Sequence, residues 1–233
     1  MAESYDLTVV MPFYNEHATL RVALERLLKT ELSHKFEVLL VDDGSQDGSA
    51  ETIADLVDGE RVRLLTHERN MGKGAAIQTG VGSARAALLS ILDADLEYDP
   101  QNFQRLIDAV HHHDAKVVYG VRSFGSQTAY SFWFVIGNRM VSLWTSFLFN
   151  VWVRDIETCL KMMPVEVWQS LGLGSRGFGI EAETTAKLLR KGHQIFEVPI
   201  DYRARTREEG KKLNWTDGVA ALWLIFRIRV FGK

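Results

Sequence analysis

Short apolar runs alternate along this chain with stretches whose apolar residues recur three or four positions apart. Leu7-Thr8-Val9-Val10-Met11-Pro12 predicts a buried strand that its proline stops. Glu16 to Leu28 follows as a helix, with Leu20, Ala23, Leu24, Leu27 and Leu28 on one face. Phe36-Glu37-Val38-Leu39-Leu40-Val41 predicts a second strand, ending in Asp42-Asp43-Gly44-Ser45. A helix from about Gly48 to Leu56, a strand over Val62-Arg63-Leu64-Leu65 and an Ala- and Gly-rich helix from Lys73 to Ala87 come next. Ala87 to Leu92 then reads as a fourth strand, Lys116 to Gly120 as a further one, and Phe196 to Ile200 as a late or edge strand. Strands alternating with helices at this spacing predict an α/β single domain, a mostly parallel sheet flanked by helices on both faces.

Parallel strands share one carboxyl-terminal rim, where open α/β sheets bind ligands. Four of the predicted strand ends carry polar residues: Pro12-Phe13-Tyr14-Asn15-Glu16, Asp42 to Ser45, His67 to Gly74, and Asp93-Ala94-Asp95. One crevice should gather them. Asp93 and Asp95 both meet one ligand if the strand ends there and the chain turns; Asp99-Pro100 is the expected turn. With Glu97 they form a hard oxygen set that suits Mg²⁺ or Mn²⁺ bridging nucleotide phosphates; a solvated acidic turn is the bland alternative. Asp42 or Asp43 can bond a base or ribose, and Tyr14 can cover a base face. Met71-Gly72-Lys73-Gly74 lacks the Walker spacing and Gly80-Val81-Gly82 lacks the dinucleotide fingerprint, so ATP hydrolysis and NAD chemistry are poor readings. Those glycines serve either phosphate contact or close helix packing.

Composition narrows the field further. The 233 residues are 46% hydrophobic and 24% charged, enough for one sizeable core, and the net charge of -3 gives no global pull toward nucleic acid. The single cysteine, Cys159, excludes an internal disulfide and fits a reducing, cytoplasmic setting. No basic-then-apolar leader pattern opens the chain. Tyr130 to Val153 is the most apolar stretch, but Asn138, Arg139 and Asn150 interrupt it, which speaks against a membrane span. Its aromatics read as core. Leu222 to Lys233 mixes Trp, Phe and basic residues, the composition of a helix lying on an anionic membrane; a core helix and an oligomer contact are the alternatives. Arg203, Arg205, Arg207, Lys211 and Lys212 form a basic cluster that is either a solvated face or the cationic partner of phosphates.

Together these segments resemble the family 2 glycosyltransferases of the GT-A fold, and within them the dolichol-phosphate mannose and glucose synthases. The resemblance runs from about Leu7 to Gly218, with residues 1–218 as the glycosyltransferase domain and 219–233 as an amphipathic, membrane-interfacial helix. It implies that Pro12, Tyr14 and Glu16 bind nucleotide, that Val41 and Asp43 hold base and ribose, and that Asp93, Ala94 and Asp95 form the metal and diphosphate motif with Glu97 as a further ligand. It also implies that Arg122 faces the sugar and acceptor phosphates and that Arg205 and Lys211 close over the donor, with Asp155 orienting the sugar or an arginine. The implied reaction moves a hexose from GDP-mannose or a UDP-hexose to a polyprenyl phosphate, with inversion, at the cytoplasmic face of a membrane. A small membrane-protein partner or a homo-oligomer is compatible with this, and nucleic acid is not expected. Asp155-Ile156-Glu157-Thr158-Cys159-Leu160-Lys161 stands where many mannose synthases carry a Ser-x-Phe-Arg type of sequence, which favours UDP-sugar versions. A saccharide acceptor, with Asp155 or Glu157 as base, a nucleotidyltransferase, and a non-catalytic sugar-nucleotide-binding subunit are the competing readings.

Overall fold

Among the described residues, seven strands form one sheet in the order β3-β2-β1-β4-β6-β5-β7. They span Leu7–Phe13 (β1), Phe36–Asp42 (β2), Val62–Thr66 (β3), Leu88–Ile91 (β4), Val118–Arg122 (β5), Lys161–Pro164 (β6) and Phe196–Ile200 (β7). The computed structural model describes residues 4–122, 132–177, 179–203 and 215–232. β1 pairs in parallel with β2 and β4, β2 with β3, and β5 with β7. β6 alone runs against its neighbours β4 and β5. The mostly parallel sheet expected from the sequence is therefore present, with one reversed strand that the sequence reading did not include.

That reversal decides what reaches the rim. A strand running with the others delivers the residues that follow it, whereas β6 delivers the residues that precede it. Asp155 to Leu160 thus arrive beside the ends of β4 and β5.

Helices α1 (Leu20–Lys29), α2 (Lys73–Ser83), α3 (Asn102–His113), α4 (Phe132–Phe149), α5 (Val165–Ser170), α6 (Ile180–Arg190) and α7 (Trp215–Phe231) flank the sheet. The stretch expected to be a helix near 48–56 is a 3-10 turn over Ala50–Leu56, and α2 ends at Ser83 because residues 84–87 lead into β4. One face of the sheet buries Leu7, Val9, Met11 and Leu40 with Leu20, Leu24 and Leu27 of α1 and Phe103 of α3. The other buries Val10, Leu39 and Val41 with Ala76 and Ile77 of α2 and Trp168 of α5. Each Val, Leu, Ile, Met or Phe among them contributes roughly 1.5–3 kcal/mol by leaving water.

α2 owes its small residues to this packing. A methyl group on Gly80 would stand 2.4 Å from Cγ1 and 2.9 Å from Cγ2 of the fully buried Val10. Alanine favours a helix over glycine by about 1 kcal/mol, but overpacking costs about 1–3 kcal/mol. Gly80→Ala is therefore expected to destabilise the fold by about 1–2 kcal/mol, read as a lower denaturation midpoint at unchanged slope.

α7 and α4 pack on α6 around Val141, Ile156, Ala182, Ala186, Ala221, Ile225 and Ile228. Trp144 donates its indole N–H to the Leu222 carbonyl at 3.2 Å, and Arg229 donates to the Leu148 carbonyl at 2.9 Å. The helix expected from residue 219 begins at Trp215, and its outer side mixes large apolar residues with Arg227 and Arg229. Phe147, Trp152, Trp223 and Phe231 remain 60–77% exposed. No helix among the described residues is long and apolar enough to cross a membrane.

Candidate active site

The ends of the parallel strands open on one crevice of about 390 Å³, within the range of small-molecule sites. β1 leads into it with Pro12, Phe13, Tyr14 and Glu16, and β2 with Asp43. The loop after β3 adds Asn70, Gly72 and Lys73; the chain after β4 adds Asp93, Ala94, Asp95, Glu97 and Tyr98. Arg122 ends β5, Glu157 precedes β6, Glu181 opens α6 and Tyr202 follows β7. The four polar strand ends singled out in the sequence are thus gathered as expected.

Several assignments change in detail. Val41 is fully buried in the core beneath α2 and is not part of the crevice wall, because its side chain faces the interior of β2's packing. Asp43 does line the crevice, but its carboxylate fastens the neighbouring loop. It accepts from His67 Nδ1 at 2.8 Å and from the backbone N–H groups of Met71 and Gly72 at 2.9 and 2.7 Å. The glycines of that loop serve close packing. Gly72 has φ of 97°, and a Cβ there would meet the Arg176 carbonyl oxygen at 2.4 Å; one on Gly74 would meet that of Ser175 at 2.2 Å.

The turn that serves Asp93 and Asp95 lies within the motif and not at Asp99-Pro100. Residues 94 and 95 form it, and Leu96 takes a left-handed φ of 63°, costly for a side chain of its kind. Asp99 instead starts α3, its carboxylate accepting the Gln101 N–H at 2.9 Å.

The three expected metal ligands line one crevice, but among the described residues no three acidic, His or Cys side chains converge as a metal cluster. Asp93 Oδ2 accepts from Lys73 Nζ at 2.9 Å. Lys73 also reaches Glu181 Oε1 at 2.8 Å, so one ammonium joins two walls. Burial pulls the Lys73 ammonium down, but Asp93 and Glu181 more than offset it and hold it well above its ordinary range. Glu97 Oε2 accepts from the Tyr202 hydroxyl at 2.6 Å, and Asp95 Oδ1 accepts the Glu97 N–H at 3.1 Å.

Arg122 and Asp155 form the most buried ion pair of the site. Nε and Nη2 of Arg122 donate to the two carboxylate oxygens at 2.7 Å each, with the side chains 5% and 2% exposed. Burial works against the charge of each partner, yet each holds the other ionised, Asp155 below the usual carboxylate range and Arg122 above its own. The Arg122 guanidinium also lies 5.2 Å from the ring of Tyr202. Asp155 is not among the residues that line the crevice; its carboxylate is paired with Arg122, which does line it. Arg205 and Lys211 lie outside the described residues; the chain enters that segment beside Glu97, whose carbonyl accepts the Arg203 N–H at 2.8 Å.

Glu181, Tyr98 and Tyr202 are crevice residues that the sequence reading missed, and Lys73, placed there only as part of the glycine loop, proves to join two walls. The available signal for Glu181 is its setting, one of two acids, with Glu183, among the small and apolar residues from Ile180 to Ala186. Cys159 is a packing residue; burial pushes its thiol well up.

A family model described as glycosyl transferase family 2 matches residues 8–163. The undecaprenyl-phosphate 4-deoxy-4-formamido-L-arabinose transferase of Pseudomonas aeruginosa is 38% identical over 212 residues, covering 88% of this chain and 60% of that protein. The dodecaprenyl-phosphate galacturonate synthase of Rhizobium johnstonii is 31% identical over 124 residues, 52% of this chain and 37% of that one. The chain therefore spans a third to three fifths of the length of the curated relatives it matches. Among solved structures, the glucosyl-3-phosphoglycerate synthase of Mycobacterium tuberculosis, crystallised with Mn²⁺, UDP and glucosyl-3-phosphoglycerate, superposes with a TM-score of 0.73. It is 16% identical, with 97% of this chain and 80% of that one covered. That likeness speaks for the fold, the GT-A arrangement expected from the sequence.

Proposed function

We propose that this chain, which belongs to glycosyl transferase family 2, moves a hexose with inversion from a nucleoside-diphosphate sugar to a polyprenyl phosphate. The observation that carries this is one crevice lined by Asp93, Asp95 and Glu97 together with Arg122, with Tyr14 and Asp43 at its β1–β2 end. Two of its relatives are named for sugar transfer to polyprenyl phosphates, which supports the acceptor.

A divalent cation fits this site. Among the described residues the lining side chains include seven carboxyl groups, Glu16, Asp43, Asp93, Asp95, Glu97, Glu157 and Glu181, against the two cations Lys73 and Arg122, a balance that by itself would repel a diphosphate. Asp93, Asp95 and Glu97 are the residues that would hold Mg²⁺ or Mn²⁺, which as a Lewis acid supplies charge to the departing diphosphate. Tyr14 covers the base, and Pro12 and Glu16 border it. The acceptor phosphate is already an anion and needs no general base, so the barrier is one of positioning and charge. Arg122, fixed by Asp155, holds that phosphate. Arg205 and Lys211 are assigned to the donor diphosphate. The exposed aromatics of α4 and α7, with Arg227 and Arg229 among them, rest on the membrane surface that carries the acceptor.

The test is nucleoside diphosphate release from GDP-mannose, UDP-glucose and UDP-N-acetylhexosamines in Mg²⁺ or Mn²⁺, with and without polyprenyl phosphate in vesicles. Release from one donor that depends on the lipid phosphate is expected. Release that ignores the lipid and requires a saccharide would overturn the acceptor, and bound nucleotide with no release from any donor would overturn the transfer.

A further inference from the structure

Glu157 is the one crevice carboxylate whose oxygen Oε1 is buried without a hydrogen-bond partner among the described residues. A buried acceptor left unpaired costs about 1–3 kcal/mol, so its persistence in a ligand crevice asks what completes it. The surrounding loop is built to present this side chain. Lys161 Nζ donates to the Ile156 carbonyl at 3.0 Å and to the Thr158 carbonyl, fastening the backbone on both sides of residue 157. The Lys161 ammonium is itself buried, 4.9 Å from the Tyr119 ring, and does not enter the crevice.

The position is as informative as the missing partner. The groups that act on Glu157 electrostatically are Glu181, Lys161, Arg122 and Asp155. Glu181 is joined through Lys73 to Asp93, the leaving-group side of the crevice, and Arg122 stands on the acceptor side. The transferred sugar has to lie between its diphosphate and the attacking phosphate. Glu157 lines the crevice under the influence of both Glu181 and Arg122, and its unpaired oxygen is available to a hydroxyl there.

We propose, on the reading of the site given above, that Glu157 hydrogen-bonds a hydroxyl of the transferred sugar and sets which sugar the enzyme accepts. Burial, with Glu181 adding and Lys161 and Arg122 opposing, pushes its carboxyl up to about 7, so near neutrality it can donate to or accept from a hydroxyl. A site that pairs a buried polar group with a substrate hydroxyl rejects analogues lacking that hydroxyl far more strongly than an apolar pocket rejects a missing methylene.

Glu157→Gln and Glu157→Ala, assayed with Mg²⁺, test this against the best donor, its single-deoxy sugar analogues and the bare nucleoside diphosphate. Both variants should bind the nucleoside diphosphate within about twofold of wild type, because Glu157 touches only the sugar. Glu157→Ala should lose about 10- to 100-fold in kcat/KM on the intact donor, and that loss should vanish for the one deoxy analogue whose missing hydroxyl is its partner. Glu157→Gln, which keeps shape and a donor, should fall between the two and melt with wild type. Unchanged kcat/KM in both variants, or an equal loss across every deoxy donor, would overturn the assignment while leaving the transfer reaction standing. A loss seen only with a saccharide acceptor and independent of the donor sugar would make Glu157 a base and overturn it too. Failure of wild type to bind or turn over any sugar nucleotide would remove the reaction itself, and the assignment with it.

Discussion

Asp95→Ala is expected to lower sugar transfer by about 10²–10³-fold and to leave a folded protein. The two halves of this expectation rest on different observations. Asp95 is half-buried on the turn after β4 and lines the crevice, where its carboxylate belongs to the set assigned to the divalent cation. Its Oδ1 accepts the Glu97 N–H, a bond worth about 0.5–1.5 kcal/mol. Asp93→Ala makes a less clean comparison, because it also strips one of two carboxylates from the Lys73 ammonium. Turnover at saturating Mn²⁺ alongside a thermal melt would separate chemistry from folding. An Asp95→Ala protein that retained most of its activity would remove the cation assignment.

Asp155→Ala is expected to act through stability. It would leave the Arg122 guanidinium, 6% exposed, without its counter-ion, and stranding one partner of a buried pair costs about 3–5 kcal/mol. Activity should fall as well, since the Arg122 fork loses both of its 2.7 Å bonds. The pH dependence has a definite sign. The carboxyl of Asp155 is held below its ordinary value, so its contribution is complete above about pH 4, the unfolded carboxylate range, and fades as pH falls through its folded value. The gap in denaturation midpoint between wild type and Asp155→Ala should be full at pH 7 and narrow in acid. A gap of the same size at pH 7 and pH 3, or no gap at all, would show that the pair does not carry the stability assigned to it.

The rim of the crevice is legible in the sequence because parallel strands share it. Once the strands at Leu7, Phe36 and Leu88 are recognised, Tyr14, Asp43 and Asp93 must lie together. Arg122 and Tyr202 follow the same logic at β5 and β7, although the sequence pattern ends β5 two residues early, at the small Gly120. What escapes is whatever departs from that rule. β6 is four residues long and opens with Lys161, whose charge is hidden over an aromatic ring and against two carbonyls, so nothing in its pattern marks a strand. Glu181 reaches the crevice from a helix, not from a strand end. Lys73 reads as part of a glycine loop, and only the fold reveals that its ammonium spans two walls. Val41 fails for a simpler reason: one residue before the rim, its side chain still belongs to the core.

The strand order also sets the sequence in which the molecule can assemble. β3, β2, β1 and β4 are neighbours, so half the sheet can close once Ile91 has left the ribosome. The outer edge of β4 then waits for Lys161 to Pro164, with all of α3, β5 and α4 still to be made. Such a distant pairing is slow to form, and an unpaired edge is a template for wrong partners in the interval. The nascent chain therefore possesses Tyr14, Asp43, Asp93 and Asp95 well before it possesses a floor for Asp155 and Glu157. Protection of the β4 edge during that interval is a demand on the cell that the finished molecule no longer reveals.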